Sequence, residues 1–104
     1  MTVTDLFLED KHLKTLINIF EQVCPHATIC AFGSRVKNQA HDGSDLDLSV
    51  LDWGGQNENL TSLKTALKDS DLPFMVDVSD FKKLPETFQE EILKKNIIIY
   101  KDTF

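Results

Sequence analysis

The strongest constraint on the fold is an alternation of apolar and polar side chains over residues 44–50. Leu46, Leu48 and Val50 occupy every second position, and acidic or hydroxyl residues stand between them. Because successive side chains of a β-strand point to opposite faces, this pattern predicts a strand with one buried and one polar face. The fold must therefore contain a sheet whose two faces meet different surroundings.

Periodicity along the rest of the chain predicts an α/β fold. Apolar residues at helical spacing predict helices at residues 10–24, 60–67 and 84–95. Short runs of strand-forming residues predict further strands at residues 27–32, 74–78 and 97–100. We therefore expect one domain over residues 1–104, with a mixed sheet of about four strands flanked by helices.

Composition and charge exclude several classes of protein. A hydrophobic content of 41% with 27% charged residues is ordinary for a folded protein. The net charge of -6 argues against direct binding to nucleic acid, which depends on basic patches. No apolar run approaches the ~20 residues that span a bilayer, and the first residues lack a signal-peptide pattern. We expect a cytoplasmic protein that contacts no membrane, with Cys24 and Cys30 as buried, reduced thiols.

Three carboxylates fall on predicted strands where they can meet. Asp45 and Asp47 lie two residues apart, so both project from one face, roughly 6.5 to 7 Å from each other along the strand. If the strand that carries Asp77 pairs with theirs, its carboxylate joins them from about 5 Å across the sheet. Such a cluster repels itself unless cations neutralise it. Magnesium, which prefers oxygen ligands and substrate phosphates, is the cation expected here.

Two magnesium ions about 3.5–4 Å apart would suit nucleotidyl transfer, because one activates the attacking hydroxyl and the other stabilises the leaving pyrophosphate. Asp45 and Asp47 are then metal ligands. Asp77 either binds the catalytic ion or takes the proton of the incoming hydroxyl. All three are the candidate catalytic and metal-binding residues.

A glycine turn ahead of these carboxylates is the candidate nucleotide-binding element. Gly33 permits close approach of the backbone to a phosphate, and Ser34 opens a turn or short helix whose N–H groups favour anions. The Ser34 hydroxyl adds a donor, and Arg35 could pair with a phosphate oxygen. His41 and Trp53 are weaker candidates, for a substrate contact and for stacking on a base, and ordinary loop and packing roles remain open for them.

The motif Gly33-Ser34, followed by Asp45 and Asp47 and by a later strand with Asp77, resembles that of the DNA polymerase beta-like nucleotidyltransferase superfamily. Nearly the whole chain is similar to its minimal nucleotidyltransferases, the MNT proteins. The resemblance implies that Gly33 and Ser34 contact the triphosphate, that Asp45 and Asp47 ligate magnesium and that Asp77 completes the triad. It also implies ATP as substrate.

MNT proteins of this size are commonly antitoxins paired with a HEPN-type toxin. The resemblance therefore implies transfer of AMP from ATP to a tyrosine hydroxyl of a HEPN partner, which silences it. Two alternatives remain open: an antitoxin that acts by binding alone, and a nucleotidyltransferase for a small molecule such as an aminoglycoside. The strand that bears Asp77 continues into Ser79 and Asp80, so the identity of the third metal ligand is not fully fixed by the sequence.

Overall fold

The computed structural model describes residues 6–36, 44–55 and 59–101. The predicted order of helices and strands is confirmed there, with one addition, a 3-10 turn between the third strand and the third helix. The elements are α1 Asp10–Val23, β1 Thr28–Phe32, β2 Leu46–Asp52, α2 Leu60–Lys68, β3 Val76–Asp80, the 3-10 helix Phe81–Lys83, α3 Glu86–Lys94 and β4 Ile97–Lys101.

The strands form a mixed four-stranded sheet, as predicted, and their order is β3-β2-β1-β4. β1 runs antiparallel to both β2 and β4, whereas β2 and β3 run parallel. Parallel neighbours cannot be joined by a tight hairpin, so α2 provides the crossover between them. The parallel pair is therefore assembled from segments that are distant in sequence.

One face of the sheet carries the main hydrophobic core. Leu16 and Phe20 of α1 and Leu63 of α2 are fully buried in it. The sheet contributes the apolar positions of its strands, namely Ile29, Ala31, Leu46, Leu48, Val50, Val78, Ile97 and Ile99. Full burial of a large aliphatic side chain contributes about 1.5–3 kcal/mol, so this face supplies most of the stability of the fold.

The opposite face of the sheet is covered by α3 over β1. Ile92 of α3 is buried outside the main core, and the Phe88 ring packs edge-to-face on Phe32 with their centroids 5.9 Å apart. Along β1, Phe32 alternates with core-facing Ala31, so the two phenylalanines lie on the side away from α1 and α2. This is also the face that carries the polar residues of β2.

The third strand begins later than the sequence predicts. It starts at Val76. Phe74, which the sequence placed in the strand, precedes it and lies over the Arg35 guanidinium, with 4.2 Å between the ring centroid and Cζ. The unexpected 3-10 turn after β3 is capped by Asp80, whose carboxylate accepts a hydrogen bond of 3.3 Å from the Lys82 amide. The predicted alternation of side chains along this strand was right, and the ends of the strand differ from the prediction.

Both cysteines are free and buried, as predicted. Burial raises the pKa of the Cys24 thiol to about 11 and that of Cys30 to about 11, so both stay protonated near neutral pH. Within the described part of the chain, no helix has the length and apolar character needed to cross a bilayer.

Candidate active site

The parallel pairing of β2 and β3 places two of the candidate carboxylates side by side. Asp47 stands directly opposite Asp77 in the register of these strands, so both side chains project from the same face. Asp45 lies immediately before β2, two residues ahead of Asp47. Asp47 is half-buried, while Asp45 and Asp77 are exposed. We call these three residues the carboxylate cluster.

The carboxylate cluster is electrostatically strained around its central member. Burial raises the pKa of Asp47, and the negative charges of Asp77 and then Asp45 raise it further. A bound cation would act in the opposite direction, because it stabilises the charged carboxylate. The cluster therefore has the negative potential that a divalent cation requires.

The donor chemistry of the cluster fits magnesium, although a preassembled cage is not seen. Among residues 6–36, 44–55 and 59–101, no three His, Cys, Asp or Glu side chains form a group ready to hold a metal ion. Magnesium in phosphoryl-transfer sites takes only one or two carboxylates and completes its shell with water and substrate phosphates. Such a site needs the nucleotide before its ligand set is complete.

The other acidic residue at the end of β3 does not belong to this cluster. Asp80 lies three positions after Asp77 on the same strand, so its side chain lies on the opposite face. Its carboxylate is buried and caps the 3-10 turn. Of the two acidic residues on β3, the geometry therefore favours Asp77 as the third candidate ligand.

Gly33 lies directly against the Asp47 carboxylate. Its φ of +82° belongs to the left-handed region, which glycine adopts at little cost. A Cβ added here would overlap the Asp47 Oδ2 atom and lie 3.2 Å from its Cγ. Only glycine allows the turn and the carboxylate to approach this closely, and the turn thereby forms a wall of the cluster.

The glycine turn is a tight one, as the sequence predicted. The Val36 amide donates to the Gly33 carbonyl over 3.1 Å, which closes a four-residue turn with Ser34 and Arg35 at its centre. Ser34 is partly exposed. Ser34 is therefore accessible to a substrate, as the nucleotide hypothesis requires.

The Arg35 guanidinium is not free to contact a nucleotide at the glycine turn. The residue is only 3% exposed. Its Nη1 donates to the Phe7 carbonyl over 2.7 Å, and its Nε and Nη2 donate to the Ser44 carbonyl over 3.0 and 2.7 Å. Donors that are already engaged with backbone oxygens are poorly placed to meet a phosphate. The geometry therefore counts against the expected phosphate contact.

An aromatic pair beside the cluster was not expected from the sequence. Phe32 stands opposite Asp47 in the register of β1 and β2, so its ring borders the cluster on the side away from Asp77. Phe88, which packs on it, is 45% exposed. Strand alternation alone could have put Phe32 on the polar face, but only the register between strands reveals its neighbour.

The two weaker candidates have different outcomes. His41 falls within residues 37–43, outside the described part of the chain. Trp53 is 8% exposed and belongs to the main core, which favours its packing role over stacking on a base.

Comparisons with known proteins identify the family of this chain. The family model described as polymerase beta, nucleotidyltransferase matches residues 14–103. The probable protein adenylyltransferase MntA of Haemophilus influenzae is 37% identical over 99 residues, which cover 90% of this chain and 83% of that protein. A crystal structure of a toxin-antitoxin with AMP-PNP shares the fold at a TM-score of 0.68 and 21% identity, over 88% of this chain and 74% of its own.

A parallel strand pair that holds carboxylates against a glycine turn is the framework of a nucleotidyltransferase. The match over residues 14–103 shows that this chain belongs to the polymerase beta nucleotidyltransferase family. The predicted resemblance to the minimal nucleotidyltransferases is confirmed by the relative named MntA. The roles of the individual site residues remain predictions at this point.

Proposed function

We propose that this protein is the antitoxin of a HEPN-type toxin and that it neutralises its partner by transferring AMP from ATP to a tyrosine hydroxyl. The reaction depends on magnesium. The observation that carries the proposal is the direct register of Asp47 with Asp77 beside Gly33, because it creates a strained negative site next to a turn that can receive phosphates.

The comparisons support the nature of the substrate and partner. The relative from Haemophilus influenzae is named as a probable protein adenylyltransferase, and the similar solved structure is a toxin-antitoxin bound to AMP-PNP, an ATP analogue. A domain of this size has little surface for a separate acceptor site. A substrate that is itself the binding partner removes the need for one.

In this proposal Asp45, Asp47 and Asp77 are the residues that would hold two magnesium ions. When bound, the ions supply Lewis acidity at the attacking oxygen and at the leaving pyrophosphate. Gly33 lets the turn approach the triphosphate closely, and Ser34 donates its hydroxyl to a phosphate oxygen. Arg35 has no contact with the nucleotide.

The bond changes follow from this placement. The tyrosine oxygen forms a bond to the α-phosphorus of ATP while the bond from that phosphorus to the β-phosphate bridging oxygen breaks. AMP is thereby attached to the partner, and pyrophosphate leaves. We assign the tyrosine proton to Asp77, because this carboxylate is exposed on the edge strand of the sheet, where a macromolecular substrate can reach it.

The decisive experiment is to incubate the protein with its HEPN partner, magnesium and ATP, and then to measure the intact mass of the partner. We expect the partner to gain the mass of AMP and to lose its toxic activity. Peptide mass spectrometry should locate the added AMP on a tyrosine. Asp45→Asn should abolish the gain in mass, and Asp69→Asn, an equal loss of charge on the exposed end of α2, should leave it unchanged.

Each alternative has its own outcome in this experiment. Neutralisation of the partner without any gain in mass, by both the wild type and Asp45→Asn, would establish an antitoxin that acts by binding alone. Modification of an aminoglycoside in place of the partner would establish a small-molecule enzyme. Omission of magnesium, with EDTA present, should stop transfer without separating the two proteins.

A further inference from the structure

The guanidinium of Arg35 connects the segments that carry the site. Nε and Nη2 both donate to the Ser44 carbonyl, at 3.0 and 2.7 Å, and Nη1 donates to the Phe7 carbonyl at 2.7 Å. The Phe7 amide in turn donates to the Arg35 carbonyl at 3.0 Å. Arg35 is the only arginine in the chain.

Two of these hydrogen bonds reach the backbone next to a site residue. Arg35 itself follows Gly33 by two residues. The Ser44 carbonyl belongs to the peptide group whose nitrogen is that of Asp45, so its hydrogen bonds fix the plane from which the Asp45 side chain departs. One side chain thus links the glycine turn to the carboxylate at the start of β2.

A stacking contact extends this link to β3. The Phe74 ring lies under the guanidinium, with Cζ 4.2 Å from the ring centroid, three residues before Asp77. Cation–π stacking of this kind is stronger where water is excluded, and Arg35 is only 3% exposed. Next to this contact the Leu46 amide donates to the Met75 carbonyl over 2.9 Å, which joins the starts of β2 and β3.

The geometry points to Arg35 as a positioning residue that holds Asp45 and Asp77 in place for divalent cation binding, without touching the nucleotide. This inference rests on the proposed function for the identity of the site. A lysine cannot replace Arg35, because one compact ammonium group cannot reach both carbonyls and lie flat on Phe74. Groups that orient metal ligands typically change metal affinity by about 10–100-fold when they are lost.

The test compares Arg35→Lys with the wild type in the complete chain, without activity as the only readout. Binding of Mn²⁺ alone is followed by electron paramagnetic resonance, and amide hydrogen exchange is measured in EDTA. We expect the dissociation constant for Mn²⁺ to rise about tenfold and the protection of the Leu46 amide to fall about tenfold. Amides in the middle of β1 should keep their protection.

Two further variants make the result specific. Phe74→Leu removes the ring under the guanidinium and keeps an apolar side chain, so it should shift both readouts in the same direction and by less. Lys14→Arg makes the reverse exchange on the exposed face of α1, and it should change neither the Mn²⁺ affinity nor the amide protection. In a transfer assay, Arg35→Lys should need more magnesium for half-maximal rate at saturating ATP, with an unchanged KM for ATP at saturating magnesium.

The inference fails under either of two results. An unchanged Leu46 amide and Mn²⁺ affinity, with a raised KM for ATP at saturating magnesium, would make Arg35 a phosphate contact. A uniform loss of protection over all strands would make it a general stabiliser of the fold. Absence of Mn²⁺ binding to the wild type would count against the proposed metal chemistry, while the exchange data would still decide the role of Arg35.

Discussion

The two faces of the sheet follow opposite rules. On the core face Leu46, Leu48 and Val50 of β2 are apolar and fully buried, and α1 and α2 cover them. On the other face the same strand presents Asp47 and Ser49, and the pKa of Asp47 is raised by burial and by its acidic neighbours. One face is optimised for packing, whereas the other retains charges that repel each other.

This difference teaches which residues carry stability and which carry chemistry. A carboxylate cluster without a cation costs folding free energy, and the core on the opposite face offsets that cost. Substitutions on the two faces should therefore have separable effects on activity and on unfolding. The following predictions break or sharpen that separation, from the largest effect to the smallest.

The largest effect is expected from Asp47→Asn, which should lower the rate of AMP transfer about a thousandfold, since metal-assisted charge stabilisation contributes several kcal/mol. The melting temperature in EDTA should stay the same or rise, because a repulsive charge is removed. Transfer assays and thermal melts on the same preparation check both statements. Full activity with an unchanged melt would remove Asp47 from the site.

On the core face, Leu48→Ala should destabilise the protein by about 2–5 kcal/mol, through lost burial and the cavity left behind. Leu93→Ala is the matched control, since Leu93 is 59% exposed and the same truncation there should cost less than about 0.5 kcal/mol. Denaturant unfolding measures both. Equal losses at the two positions would contradict the assignment of the core.

The glycine turn should show a combined effect. Gly33→Ala introduces strain of about 1–2 kcal/mol from its left-handed backbone and also pushes on the Asp47 carboxylate. Gly55→Ala shares the strain, since its φ is also +82°, but an added Cβ there meets no atom within 4 Å. Both variants should lose similar stability, and only Gly33→Ala should lose transfer activity. Equal activities would show that the close approach has no functional role.

The smallest effect concerns pH. A carboxyl group whose pKa is higher in the folded protein binds more protons when folded, so the folded state loses stability as pH rises through that raised value. In EDTA, the wild type should therefore become less stable relative to Asp47→Asn as the pH rises from about 4. Added magnesium should reduce the difference, because it favours the ionised form. A difference that is constant over this range would contradict the repulsion at Asp47.

Much of the fold could be predicted from the sequence because its periods are regular. The alternation around Leu48 and the helical spacing of α1 reflect local geometry that tertiary contacts did not override. Two of the candidate carboxylates could be predicted for the same reason, since Asp45 and Asp47 lie two positions apart. Their separation along the chain already placed them on one face.

The register between strands and the contacts between side chains distant in sequence could not be predicted. Nothing local indicates that Asp77 pairs with Asp47 rather than with a neighbour, and nothing predicts that Phe74 stacks on Arg35. The expected phosphate role of Arg35 relied on its place in the motif, whereas its burial depends on the Phe7 and Ser44 carbonyls. Such facts arise only when distant segments meet.

The parallel pairing of β2 with β3 also has a consequence during protein synthesis. A nascent chain that has emerged from the ribosome only as far as α2 already contains the glycine turn and Asp47, but it lacks the strand that carries Asp77. Because that partner strand arrives later and closes a long loop, the three acidic groups can meet only after β3 has been made. Assembly of the site therefore reports that the parallel strand pair has formed.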